Sequence, residues 1–309
     1  MTWLTPDPGE HPAKRLRALL DAPGTIVVPG VTDGLTALLA REAGAPALLL
    51  SRTGFAVSMG MPDVGLVTLD ELARAARQIV RVTRTPLVVE AGTGFGGPLN
   101  VMRTIRELEG ARCAAIQIED DREPSRHEHE EGPQVVEARI FEEKVAAART
   151  AAQQLVVIAR TGARGPLGYD EALRRGRRYR EAGADVIAAA GLRSEDEFET
   201  YAREVPGPLL ATMAGFEEGP LLSAGRLAEL GYRLVAFPVA APRVTGYRLQ
   251  RLYADLLRAG GPGPWLDEML SGEELGALVD QDGYAALDRR IGRAVLTRDH
   301  PPGEPPPRG

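Results

Sequence analysis

The sequence predicts an α/β chain: a (β/α)8 TIM barrel followed by extra C-terminal helices. Three observations point there. Eight short apolar runs punctuate the chain. They are rich in Val, Ile and Leu at consecutive positions, as parallel strands buried on both faces require. Between them lie longer segments whose apolar residues recur at helical spacing. A doubly wound parallel sheet is the alternative, because the same alternation of strand and helix produces both.

The predicted strands cover residues 25–31, 47–51, 86–92, 114–120, 155–161, 184–191, 208–213 and 234–239. The segment 68–81 sets Leu69, Leu72, Ala73, Ala76, Ile79 and Val80 on one stripe, the signature of a helix packed on a core. Residues 101–108, 137–152, 169–182, 194–204, 223–230 and 242–259 read the same way. Ser194 with Glu197 three residues on predicts a capping box. Gly44, Gly183 and Gly231 stand where helices should end. Residues 265–296 predict one or two further helices, with Leu266, Met269, Leu270, Leu275 and Leu278 at helical spacing. The expected organisation is a barrel over 1–260, a helical extension over 261–300 and a disordered Pro-rich tail over 301–309.

Composition narrows the function. With 309 residues, 44% of them hydrophobic, the chain can bury a large core. A net charge of −6 and 5% aromatic residues argue against nucleic acid as a partner. No apolar run approaches the roughly 18 residues of a membrane span, so no membrane partner is expected. The single cysteine, Cys113, precedes an apolar run and reads as a packed thiol; it excludes an intramolecular disulfide. The N-terminus lacks a basic-then-apolar pattern, so a cytoplasmic location is expected.

The segment Val88-Val89-Glu90-Ala91-Gly92-Thr93-Gly94-Phe95-Gly96-Gly97 is an apolar run, a carboxylate and a glycine-rich turn. That is how a barrel strand delivers a functional group to the rim, with glycines such as Gly94 letting backbone approach a ligand. Glu90 and Glu119 close apolar runs, and a buried carboxylate needs a cation as partner, either a metal or an arginine. The competing reading is a metal-free pocket in which Glu90 and Glu119 pair with arginines such as Arg160. Arg160, Arg243 and Arg52 are candidate clamps for an anionic substrate. Two of the four histidines, His127 and His129, share one densely charged stretch. They read as a catalytic lid, a solvated loop or a metal site.

The motifs together resemble the isocitrate lyase/phosphoenolpyruvate mutase superfamily, and within it the 2-methylisocitrate lyase and carboxyphosphonoenolpyruvate mutase branch. Val28-Pro29-Gly30-Val31-Thr32-Asp33 is similar to its opening element, and Gly60-Met61-Pro62-Asp63-Val64-Gly65-Leu66 to its G-x-P-D-x-G-L. Glu90 and Gly92 fall on the two aspartates of D-A-D-T-G-F-G, Ile118-Glu119-Asp120 on I-E-D, and Ala159-Arg160-Thr161 on A-R-T-D, whose last aspartate is Gly162 here. Ser51 matches a substrate-holding serine, with Leu49 for the neighbouring tyrosine and Arg52 for the following glycine. His127 stands at the family's acid/base cysteine and His129 at its histidine. Ala190, Thr212 and Gly215 replace a glutamate, an asparagine and an acidic residue, while Arg243 keeps an arginine position.

The resemblance implies a lyase-type enzyme that makes or breaks a C–C bond, eliminates or isomerises, next to a carbonyl of a small carboxylate or keto acid. The intermediate would be enolate-like. It implies catalytic roles for Asp63, Glu119, His127 and Arg160, and substrate contacts from Ser51, Arg52, Gly94, His129, Arg160, Thr212 and Arg243. It implies Mg²⁺ held by Glu90, Glu119 and Asp63, with Gly92 one carboxylate short, and no organic cofactor. It also implies a homodimer or homotetramer with a helix swapped between subunits. The missing thiol argues against classical isocitrate or methylisocitrate cleavage, and the weakened metal clamp against phosphonate-bond formation. Two alternatives stand beside this reading. One is a specialised-metabolism enzyme working without Mg²⁺ on a larger, less anionic substrate, because Leu49, Gly92, Gly162, Ala190 and Gly215 remove bulk and charge. The other is a pseudoenzyme that binds a metabolite without turnover.

Overall fold

The computed structural model describes residues 3–5, 9–122, 135–215 and 219–299, with side chains to residue 293. His127, His129 and the 301–309 tail lie outside the described residues. Eight parallel strands close in sequence order: β1 (Ile26–Val31), β2 (Leu48–Leu50), β3 (Leu87–Glu90), β4 (Ala115–Glu119), β5 (Val156–Thr161), β6 (Val186–Ala189), β7 (Leu209–Thr212) and β8 (Leu234–Phe237). β1 pairs with β8, from Ile26 opposite Leu234 to Pro29 opposite Phe237, which closes the barrel and excludes the doubly wound sheet. Helices lie between successive strands, as the right-handed β-to-β crossover of parallel strands demands.

Each strand sorts its residues by parity. Val28, Leu49, Val88, Ala115, Ile158, Ala188, Leu210 and Ala236 form the inner core. Their neighbours Val31, Leu50, Val89, Ile116, Val157, Ile187, Ala211 and Val235 pack outward with the helices. Continuing the inward parity by two or four residues reaches Ser51, Glu90, Gln117, Glu119 and Arg160, so the barrel delivers these to its C-terminal rim. Gly30 sits where β1 meets the end of β8. A Cβ there would lie 2.1 Å from the Pro238 carbonyl oxygen, so no other residue lets the strands close this tightly.

The opposite end is sealed by the helix Pro12–Asp21, which the alternation of strand and helix did not reveal. Leu16 enters the inner core. Arg17 bonds the Asp185 carboxylate at 3.0 Å and the Leu155 carbonyl at 3.1 Å, and Arg233 reaches the Leu20 carbonyl at 2.9 Å. Two more unexpected helices are Gly34–Glu42 and Arg52–Ser58. The first starts in a capping box between Asp33 and Thr36. The second is short and contains Gly54, Thr53 and Val57, poor helix formers; its Ser51 cap and buried Phe55 and Ala56 hold it.

The strong periodic helices are present, among them Leu69–Thr83, Ala138–Ala151 and Tyr169–Glu181. Gly44, Gly183 and Gly231 adopt φ of 88°, 109° and 97° at helix ends, as their positions predict. The box expected at Ser194 is only half formed. Ser194 Oγ accepts from Glu197 N–H at 3.2 Å, but the Glu197 carboxylate turns to Arg193 N–H and Arg164 instead.

Contacts divide the chain into two compact units, Gly9–Gln250 and Arg251 onward with the N-terminal residues; the division falls within the helix Ala240–Ala259. In the second unit, Trp265 Nε1 donates to Asp255 at 3.0 Å and lies under the Arg251 guanidinium. A 3₁₀ turn, Gly263–Glu268, and the helices Gly272–Leu278 and Gln281–Asp299 complete it. No helix among the described residues is long and apolar enough to cross a membrane. Cys113 is fully buried, and burial pushes its thiol up to about 12.

Candidate active site

The rim gathers three carboxylates around one guanidinium. Arg52 begins the helix after β2 and swings its side chain across the mouth. Its Nε meets Asp63 Oδ1 at 2.7 Å and its Nη1 meets Glu119 Oε1 at 2.8 Å. Its own backbone N–H donates to Glu90 Oε2 at 3.1 Å. Every other oxygen of these three acids also faces a donor. Thr53 Oγ1 bonds Asp63 Oδ2 at 2.6 Å, Arg160 Nη1 bonds Glu119 Oε2 at 2.5 Å, and Gln117 Nε2 reaches Glu90 Oε1 at 3.4 Å. Asp63, Glu119 and Gln117 are almost wholly buried, so pairing is what makes their presence tolerable.

The electrostatics follow. Burial alone would raise Glu119, but Arg52 and then Arg160 outweigh it and hold the carboxyl below its ordinary range. Glu90 is raised, chiefly by burial, because Arg160 and the Arg52 N–H compensate only partly. Asp121, two residues beyond Glu119 with the same parity, is pushed up to about 7 by burial and by the Glu119 charge.

Neighbouring side chains fill the space at three glycines that replace acidic residues. Gly92 has φ 55°, and a Cβ on it would fall 2.4 Å from Arg52 Nη1. A Cβ on Gly162 would fall 2.8 Å from an Asp121 oxygen, and one on Gly215 3.3 Å from Arg243 Nη1. The expectation of a cavity widened at these positions is therefore corrected: charged side chains from adjacent elements occupy the room.

The remaining residues stand as follows. Ser51 is 1% exposed and its Oγ accepts from Gly54 N–H at 3.2 Å, which commits it to capping the helix. Gly94 directs its missing side chain toward Val101 and Ile118, and its carbonyl accepts from Thr104, so the turn is tied to the following helix. Thr212 ends β7 with a buried hydroxyl that finds no hydrogen-bond partner among the described residues. Arg243 is exposed and donates to the Ala214 carbonyl at 3.4 Å.

Several contributors escaped the sequence reading. Thr53, Gln117 and Asp121 carry no motif of their own, though the parity of β4 puts Gln117 and Asp121 on the Glu119 face. Behind the rim, Asp120 is fully buried and accepts from Thr161, Gly162 N–H, Arg175 and Tyr179 at 2.7–2.8 Å. This knot fixes the ends of β4 and β5, and so the separation of Glu119 and Arg160. Lys144, also buried, bonds the Thr93 carbonyl at 3.0 Å and steadies the glycine-rich turn.

The arrangement does not fit a divalent ion. Mg²⁺ draws oxygens to about 2.1 Å in an octahedron. Here a guanidinium lies between Asp63 and Glu119, their oxygens are spaced for hydrogen bonds, and Gly92 brings no oxygen. Among the described residues no cluster of His, Cys, Asp and Glu has the geometry of a metal site.

Comparison with known proteins agrees with this architecture. Residues 16–257 match the family model described as phosphoenolpyruvate phosphomutase. The chain is 38% identical over 298 residues to a 2-methylisocitrate lyase of Bacillus subtilis (strain 168), covering 96% of this chain and 99% of the relative. A crystal structure of 2,3-dimethylmalate lyase, a member of the same superfamily, superimposes with a TM-score of 0.86 at 34% identity, covering 92% of this chain and 97% of that one. A phosphonopyruvate hydrolase solved with oxalate and Mg²⁺ gives a TM-score of 0.83 at 28% identity, covering 91% and 99%. An eight-stranded closed barrel, the rim motifs and these matches over nearly the full chain together establish that this protein belongs to the phosphoenolpyruvate mutase/isocitrate lyase superfamily.

Proposed function

We propose that the protein is a carbon–carbon lyase acting on a small hydroxylated carboxylate through an enolate-like intermediate. The observation that carries this reading is the convergence of Arg52 and Arg160 on Glu119 at the strand ends. Two guanidiniums locked by ion pairs form a preorganised field for negative charge that develops in the reaction, and they need not reorient when it does. Arg160 keeps 24% of its side chain exposed and presents the accessible donor. The lyase names of the Bacillus relative and of the dimethylmalate enzyme support the same reaction class.

In this mechanism a base takes the proton from a hydroxyl two carbons from the substrate carboxylate. The oxygen's electrons form a carbonyl as the C–C bond breaks. The released pair moves onto the carbon beside the carboxylate, giving an enolate, and an acid then protonates that carbon. Arg160 and Arg52 hold the carboxylate as its charge grows. Asp63 or Glu119 supplies the base, and His127, outside the described residues, the acid.

The test is NMR detection of two shorter carboxylic acids from 2-methylisocitrate or 2,3-dimethylmalate. Arg160→Ala should lower kcat/KM by about 100-fold or more. A folded wild-type protein that binds these acids without splitting them would sink the proposal in favour of a metabolite-binding protein.

A further inference from the structure

We propose that Arg52 is a built-in cation that takes the place of a divalent metal in this site, so that the protein holds its carboxylates and its substrate without Mg²⁺. Two independent geometric facts converge. The guanidinium bridges Asp63 at 2.7 Å and Glu119 at 2.8 Å, lying between the acids that would otherwise share an ion. It also runs through the volume that any side chain at position 92 would need, 2.4 Å from that Cβ. A side chain at 92 would therefore require Arg52 to leave the place in which it bridges Asp63 and Glu119.

The charge balances when both positions are counted: a divalent ion with a carboxylate at 92 and a guanidinium with Gly92 each sum to +1. A guanidinium offers directed N–H donors in a planar fork and remains charged at any pH at which the protein folds. Arg52 is nearly buried, and the carboxylates around it outweigh that burial and raise it further. It cannot be removed by a chelator or exchanged for another ion. The proposal does not depend on the reaction catalysed, because it concerns what occupies the space between Asp63 and Glu119.

Mn²⁺ binding read by EPR tests it on the full chain without an assay of turnover. The wild-type protein should leave the Mn²⁺ signal equal to that of a protein-free solution of the same composition, with or without oxalate. The double variant Arg52→Ala/Gly92→Asp should bind one Mn²⁺ per chain at least about tenfold more tightly than wild type, and oxalate should sharpen that binding. Stoichiometric Mn²⁺ binding by the wild-type protein would overturn the proposal, and this arm needs no variant to fold. A double variant that keeps the wild-type circular dichroism yet gains no Mn²⁺ affinity would overturn it too. Oxalate binding by metal-free wild-type protein, followed by calorimetry, is expected to persist in excess EDTA; its loss there would also refute the idea.

Discussion

At the scale of single residues, side chains from neighbouring elements occupy the space beside two glycines of the rim. Arg52 does so at Gly92 and Asp121 at Gly162. Reading positions one at a time could show that oxygens were lost at 92 and 162. It could not show where the volume went, because Arg52 and Asp121 arrive from other strands and their side-chain directions are set by packing. Asp121 gives a measurable consequence. Its carboxyl rises from 3.8 unfolded to about 7 folded, through burial first, then Glu119 and Asp120, with Arg160 and Arg52 opposing. Below the unfolded value both states are protonated. As pH climbs toward 7 the unfolded chain ionises first, so stability contributed by the neutral folded form is lost progressively. The cost at pH 8 is on the order of a few kcal/mol at most. Asp121→Asn should therefore gain in thermal midpoint over wild type as pH goes from 4.5 to 8, with little difference at the acid end. An advantage independent of pH would show that the carboxyl is not held neutral.

At the scale of elements, strand existence and facing were legible, while their exact ends and the weak helices were not. All eight apolar runs became strands because burial on both faces leaves a simple compositional trace. The runs were read one to four residues too long, since most of the flanking residues are apolar or small but turn out of the ladder. The helix Pro12–Asp21 went unseen although Ala13, Leu16, Leu19 and Leu20 stand at helical spacing, because it precedes β1, outside the alternation of strand and helix from which the others were read. The helix Arg52–Ser58 is stabilised by a cap and two core residues against its own propensity. Ser51, Glu90, Glu119 and Arg160 were recoverable because each lies at or just past a strand end, whereas Asp63, beyond the helix Arg52–Ser58, was marked by its motif alone. Thr53 and Gln117 were not, because a polar residue's partner is visible only in three dimensions. Gly30 is the element-level test. Gly30→Ala puts a methyl 2.1 Å from the Pro238 carbonyl, backbone against backbone, so neither side can yield cheaply. A loss of about 4 kcal/mol or more is expected, read as a fall in the urea midpoint or as insoluble protein. A midpoint within experimental error of wild type would mean the β1–β8 seam relaxes.

At the scale of the whole molecule, the superfamily resemblance implies assembly into a homodimer or homotetramer. Light scattering coupled to size exclusion should give an integral multiple of the 33.1 kDa chain mass; elution as a single chain at micromolar concentration would contradict it. The barrel itself carries a different consequence, for the order in which it is made. Arg17 bonds a residue 168 positions later in the chain, and Arg233 bonds the end of the first helix 213 positions back. The helix Pro12–Asp21 precedes β5, β6 and β8 in synthesis, so these arginine contacts form only after those strands have followed it. Its docking is therefore a late closing event in synthesis, after most of the chain has emerged, and such long-range closure slows folding. Until then the inner leucines and valines at the base stay open to water and to neighbouring nascent chains.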